Sequence, residues 1–195
     1  MLTTSLMLAA LVTLTACSSL TNEEKSYKAA VEFQEQGKLL EAIDEYGKVL
    51  ELDPVFVDAY TNRGAVYTDL GKYQKAIQDY DQAIQLNPAN EKAYSNRGNL
   101  HAGLGEPDLA LGDYSQAIRI APQNPEYYHR RANVYARLGQ KDLALQDYAE
   151  AIRLDPSIAA VFIDRGKYNG NRNQHQQALD DFTEAIRLDA DNREA

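Results

Sequence analysis

The sequence predicts an all-α fold, a solenoid of five helical hairpins, on three observations. Pro54, Pro88, Pro122 and Pro156 stand 34 residues apart, and Gly37, Gly71, Gly105 and Gly139 keep the same step. Small and aromatic residues recur between these markers at offsets of three and four, which places them on one face of a helix. An ungapped period of this length marks a repeat array in which each hairpin buries its apolar side only against its neighbours. Such an array offers surface for holding partners and argues against catalysis.

The units open at Glu23, Val57, Glu91, Pro125 and Ala159. The first helix of each carries Ser26, Tyr60, Tyr94, Tyr128 and Phe162 at the fourth position and Ala30, Gly64, Gly98, Ala132 and Gly166 at the eighth. Residues that small allow a second helix to approach closely. Phe33, Tyr67, His101, Tyr135 and Asn169 follow at the eleventh. The glycines suit the left-handed residue that ends this helix. The second helix carries Ala42, Ala76, Ala110, Ala144 and Ala178, and four residues on Tyr46, Tyr80, Tyr114, Tyr148 and Phe182. The prolines then stop it. In the fifth unit Asn173 replaces the turn glycine, Arg172 a leucine and Ala190 the proline; asparagine tolerates the left-handed conformation, so the turn is expected to survive.

These positions strongly resemble the tetratricopeptide repeat (TPR) family. The resemblance covers Glu23 to Asn192 and implies a right-handed α-α superhelix with units at 23–56, 57–90, 91–124, 125–158 and 159–192. It also implies a groove, along the first helices, that holds a peptide or helix of a protein partner. Carried over position by position, the groove residues are Thr61 and Asn62, then Lys92, Ser95, Asn96 and Asn99, then His129, Arg130 and Asn133. Side-chain amides there suit a peptide backbone because each donates and accepts. The two-carboxylate clamp of chaperone-binding TPR proteins is incomplete: Thr61 and Ala65 break it in one frame and Ser95 in the next.

Met1 to Ala16 has no charged side chain and an apolar run too short for a permanent membrane helix, so it reads as a signal peptide, although Lys and Arg are missing before Leu6. Leu14-Thr15-Ala16-Cys17 resembles the bacterial lipobox, which implies a lipidated Cys17 and a tether over 17–22. Cys17 is also the sole cysteine, which excludes a disulfide framework. By the resemblance to Gram-negative lipoproteins, Ser18 rather than Asp after the cysteine implies the outer membrane, with the array facing the periplasm.

The net charge of −9 is unsuited to nucleic acid or anionic headgroups, so membrane contact is expected through lipid alone. His101, His129 and His175 occupy unrelated repeat positions, and no cofactor, metal or enzymatic activity is expected. Arg63, Arg97, Arg131 and Arg165 at the seventh position match Glu45, Asp79, Asp113, Asp147 and Asp181 at the twenty-third. The pattern predicts a repeated Arg–carboxylate ladder, and pairing within a unit or with the preceding one each leaves one acid over. At the C-terminal end, Leu179, Ile186 and Leu188 are expected to form an uncovered apolar edge, with too little chain beyond for another helical turn. The expected function is a lipid-anchored scaffold or adaptor of the cell envelope; the alternative is a self-assembling envelope protein, a homo-oligomer formed through the fifth unit.

Overall fold

The computed structural model describes residues 20–194, with side-chain environments given to residue 190. The signal-peptide, lipobox and Cys17 readings lie outside the described residues. Ten helices follow in order: α1 (Asn22–Glu35), α2 (Leu39–Leu52), α3 (Val57–Asp69), α4 (Tyr73–Leu86), α5 (Glu91–Leu104), α6 (Pro107–Ile120), α7 (Pro125–Arg137), α8 (Lys141–Leu154), α9 (Ala159–Gly170) and α10 (His175–Glu194). They pair into five hairpins, an all-α TPR-type solenoid. The odd-numbered helices from α3 to α9 also touch one another across the array, whereas among the described residues the even-numbered ones have no comparable contact. The odd-numbered helices therefore form the inner, concave layer.

Local chemistry sets each turn. Gly37, Gly71, Gly105 and Gly139 have φ of 71°, 68°, 79° and 70°, and Asn173 takes the same role at φ 61°. The next residue's N–H then reaches back to the eleventh-position carbonyl: Lys72 to Tyr67 at 2.8 Å, Glu106 to His101 at 2.9 Å, Gln174 to Asn169 at 3.0 Å. These bonds satisfy carbonyls that the helix end would otherwise leave unpaired. Past the second helix, Asp53, Asn87 and Asp155 accept the N–H two residues on, so the chain folds over the proline. Ala190 gives no such stop. α10 instead runs on through Glu194, so the end of the fifth unit continues its second helix.

Each hairpin core is an aromatic ring set against a small residue. Tyr46, Tyr80, Tyr114 and Tyr148 are at most 2% exposed. A Cβ added at Gly64 would stand 2.7 Å from Tyr80 Cε1, and at Gly98 3.1 Å from Tyr114 Cε1. At the C-terminal edge Leu179 and Ile186 are 58% and 71% exposed. Leu188, expected to join them, is instead buried against Phe162 and Ala185, because its side of α10 faces α9.

Candidate functional site

The conserved spacing of arginine and acid builds the wall between the two helices of each hairpin. Arg63 meets Asp79, Arg97 meets Asp113, Arg131 meets Asp147 and Arg165 meets Asp181, each through Nε and Nη2. Pairing is thus within the unit. The acid left over is Glu45, whose unit has Ala29 at the arginine position, and it binds Lys48 instead. Asp79, Asp113, Asp147 and Asp181 are 4–6% exposed, so the guanidinium fork supplies hydrogen bonds that water cannot. Aromatic faces flank the guanidinium: Arg63 lies 5.7 Å and 5.8 Å from the Tyr60 and Tyr67 centroids, and Arg131 sits likewise between Tyr128 and Tyr135. His101 is a packed interface imidazole, 8% exposed and bonded through Nδ1 to Glu106. The ladder is structural.

On the concave face the groove residues expected from sequence divide into three groups. Thr61 and Ser95 are buried, at 4% and 6% exposure, and present almost no surface to a ligand. Thr61 donates to the Val57 carbonyl and accepts from Asn90, whose own carbonyl oxygen caps α5. A second group is tied up internally. Tyr114 OH donates to Asn99 Oδ1 at 2.8 Å and Tyr148 OH to Asn133 Oδ1 at 2.5 Å. Asn62 donates to Tyr27 OH, and Arg130 to Glu126 and to Asn99 Oδ1. His129 Nε2 lies 2.8 Å from Asp164 Oδ2, which also accepts from Asn133. The third group, Lys92 and Asn96, makes no side-chain hydrogen bond or ion pair among the described residues and faces solvent wholly or in part.

The tyrosine partnerships explain why asparagine appears where it does. In the first two units the buried tyrosine uses the twelfth position, Tyr46 with Gln34 and Tyr80 with Thr68, and the ninth is Val31 or Ala65. In the third and fourth units the twelfth is Ala102 or Ala136, and Asn99 or Asn133 at the ninth takes over. The fifth unit has Phe182, needs no partner, and has Lys167 and Gly170 there. Burial pushes the Tyr114 hydroxyl up to about 12, so it stays protonated and donates. The hydrogen bond from His129 holds the Asp164 carboxyl below its ordinary value.

Sequence reasoning missed Arg137. It stands at the thirteenth position, exposed, and among the described residues its sole hydrogen bond is Nη1 to the Ala102 carbonyl at 3.3 Å. With Asn99, Tyr114 and Arg130 it walls a recess of about 200 Å³ between α5 and α7. Among the described residues no three His, Cys, Asp or Glu side chains are grouped to hold a metal ion, and no helix is long and apolar enough to cross a membrane.

Family models described as tetratricopeptide repeat match residues 57–90, 91–124 and 125–158, and a TPR repeat model matches 30–71. A search of the curated proteins finds no match. Among solved structures, a crystal structure of MamA is 21% identical with a TM-score of 0.76, covering 91% of this chain and 99% of that one. The 41-end form of MamA from Desulfovibrio magneticus RS-1 is 20% identical with a TM-score of 0.77, covering 89% and 98%. These two show the fold alone. YrrB, described as a TPR protein with an unusual peptide-binding site, is 25% identical with a TM-score of 0.68, covering 85% of this chain and 86% of that one.

Proposed function

The chain belongs to the tetratricopeptide repeat family, and from that premise we propose that it is a lipid-anchored scaffold of the bacterial cell envelope. It holds a peptide or helix of a partner protein along its concave face. The observation that carries the binding reading is the set of polar side chains with no partner among the described residues, Lys92 and Asn96 on α5, and Arg137, nearly so, on α7. Asn62, Asn99, His129, Arg130 and Asn133 are held in place by internal hydrogen bonds, which gives a surface that need not reorganise there on binding. The peptide-binding site reported for YrrB supports the same use of the fold. The envelope reading is supported by the lipobox-like Leu14-Thr15-Ala16-Cys17.

A photo-crosslinking side chain placed at Asn96, and separately at Arg119 on the outer helix α6, tests the binding reading in intact cells. Adducts with another protein from position 96 and none from 119 are expected. Adducts from 119 alone would move the binding surface to the outer face.

A second reading, self-assembly, is favoured by the exposed pair Leu179 and Ile186. Light scattering of the chain at tens of micromolar tests it. A dimer that Ile186→Asp dissociates supports the reading, and a monomer insensitive to that change removes it.

A further inference from the structure

Hydrogen-bond accounting across α5 and α7 gives the concave face a direction of charge. Around Asn99 and Asn133 the acceptors are taken: Asn99 Oδ1 receives Tyr114 and Arg130, Asn133 Oδ1 receives Tyr148, and Asp164 receives Asn133 and His129. The donors are not. Asn99 Nδ2 and the Asn96 amide have no partner among the described residues, Lys92 has none, and Arg137 uses one N–H in a long bond to a backbone carbonyl. The recess of about 200 Å³ between the two helices is walled by Asn99, Tyr114, Arg130 and Arg137 over an apolar floor of Ala102 and Val134, and no Asp or Glu lines it. In a chain of net charge −9, a recess whose Arg130 is paired with Glu126 and whose Arg137 has no acid partner among the described residues is locally positive.

We propose that this recess is the subsite for an aspartate or glutamate side chain of the peptide held in the groove, with Arg137 as its principal ligand and Asn99 Nδ2 as the second donor. The proposal rests on the groove reading above and adds what occupies it. A planar carboxylate accepts two parallel N–H bonds from a guanidinium fork, and the apolar floor takes the methylenes beneath it. Arg130 is largely engaged by Glu126 and adds field rather than a new bond. The same thirteenth position carries Glu35 and Asp69 in the first two units. An acidic side chain is therefore repelled from that end and attracted to the fourth unit, which fixes the register of the bound segment.

The test is a positional-scanning library of acetylated, C-terminally amidated decapeptides bound to the full chain. Bound peptides are expected to share an acid at one fixed place. Changing that acid to its amide weakens binding roughly ten- to a hundredfold in the native chain. Arg137→Gln removes most of this difference, whereas Arg153→Gln, on the outer helix α8, preserves it. Peptides that bind and are lost in Asn96→Ala but are indifferent to Arg137→Gln would overturn the subsite and leave the groove. Binding seen only in parallel pools with a free C-terminal carboxylate or a phosphorylated residue would overturn the side-chain assignment. If no peptide is retained, groove and subsite both fall.

Discussion

Arg97 holds Asp113 through two hydrogen bonds, Nε at 3.0 Å and Nη2 at 2.6 Å, and its remaining nitrogen, Nη1, reaches back to Asp81 of the preceding hairpin. The position of Asp81 is Gly47, Ser115, Ala149 and Thr183 in the other units. Arg131 accordingly bonds Ser115, and among the described residues Arg63 and Arg165 pair only with their own acids. The ladder ties the two helices of each hairpin, and in the middle of the array it also ties one hairpin to the last.

Arg97→Ala strands a buried carboxylate, so we expect a loss of about 2–4 kcal/mol. Asp81 is half exposed, and Asp81→Ala is expected to lose less than about 1 kcal/mol. Urea midpoints report both. An unchanged midpoint for Arg97→Ala would mean the ladder contributes nothing to stability.

Glycine substitution should split by location. Gly112, inside α6, has open space where a Cβ would go, and Gly112→Ala is expected to stabilise by about 0.5–1 kcal/mol. At Gly64 the added Cβ meets the Tyr80 ring, and overpacking of about 1–3 kcal/mol exceeds the helix-propensity gain. Thermal midpoints moving in the same direction for both would contradict the ring-in-notch packing.

The Asp164 carboxyl is held below its usual value of 3.8, by the hydrogen bond from His129 foremost. A lowered carboxylate stabilises the fold above its unfolded value, and that contribution disappears as pH falls through the folded value. Asp164 is about a third exposed, so the effect is screened to about 1 kcal/mol or less. Asp164→Asn is expected to be less stable at pH 7 and to lose less stability on acidification below about pH 4. Parallel pH profiles for the two proteins would show that the pair does not contribute.

Cys17→Ser is expected to abolish incorporation of labelled palmitate and to leave an uncleaved or mislocalised precursor. Continued labelling of that variant would remove the lipid-anchor reading.

The hairpins were legible because period, turn residue and helix stop all repeat, and Asn173 was legible as a left-handed residue by its chemistry. The partner of each arginine was not, since two pairing schemes satisfy the same spacing and only the packed helices choose between them. Thr61 and Ser95 fall on the edge of the face where neighbouring helices close over them, a matter of a fraction of a helical turn. Asn99 and Asn133 were expected as groove residues, and the signal of their structural duty is that a polar residue appears at the ninth position where the twelfth is alanine. The length of α10 depends on Ala190, where the missing proline removes a stop signal without supplying another.

The claim that the concave face holds the partner is tested most directly by changing residues of that face that have no internal role. Lys92→Ala/Asn96→Ala removes two side chains that hold nothing within the described fold, whereas replacing Asn99 or Asn133 would also strand a buried tyrosine hydroxyl. Capture of partner protein from solubilised envelopes by the double variant should be compared with the native chain, with circular dichroism confirming an unchanged melting profile. A strong loss of capture at unchanged helicity is the predicted result. Equal capture would contradict the account and place the partner off the concave face.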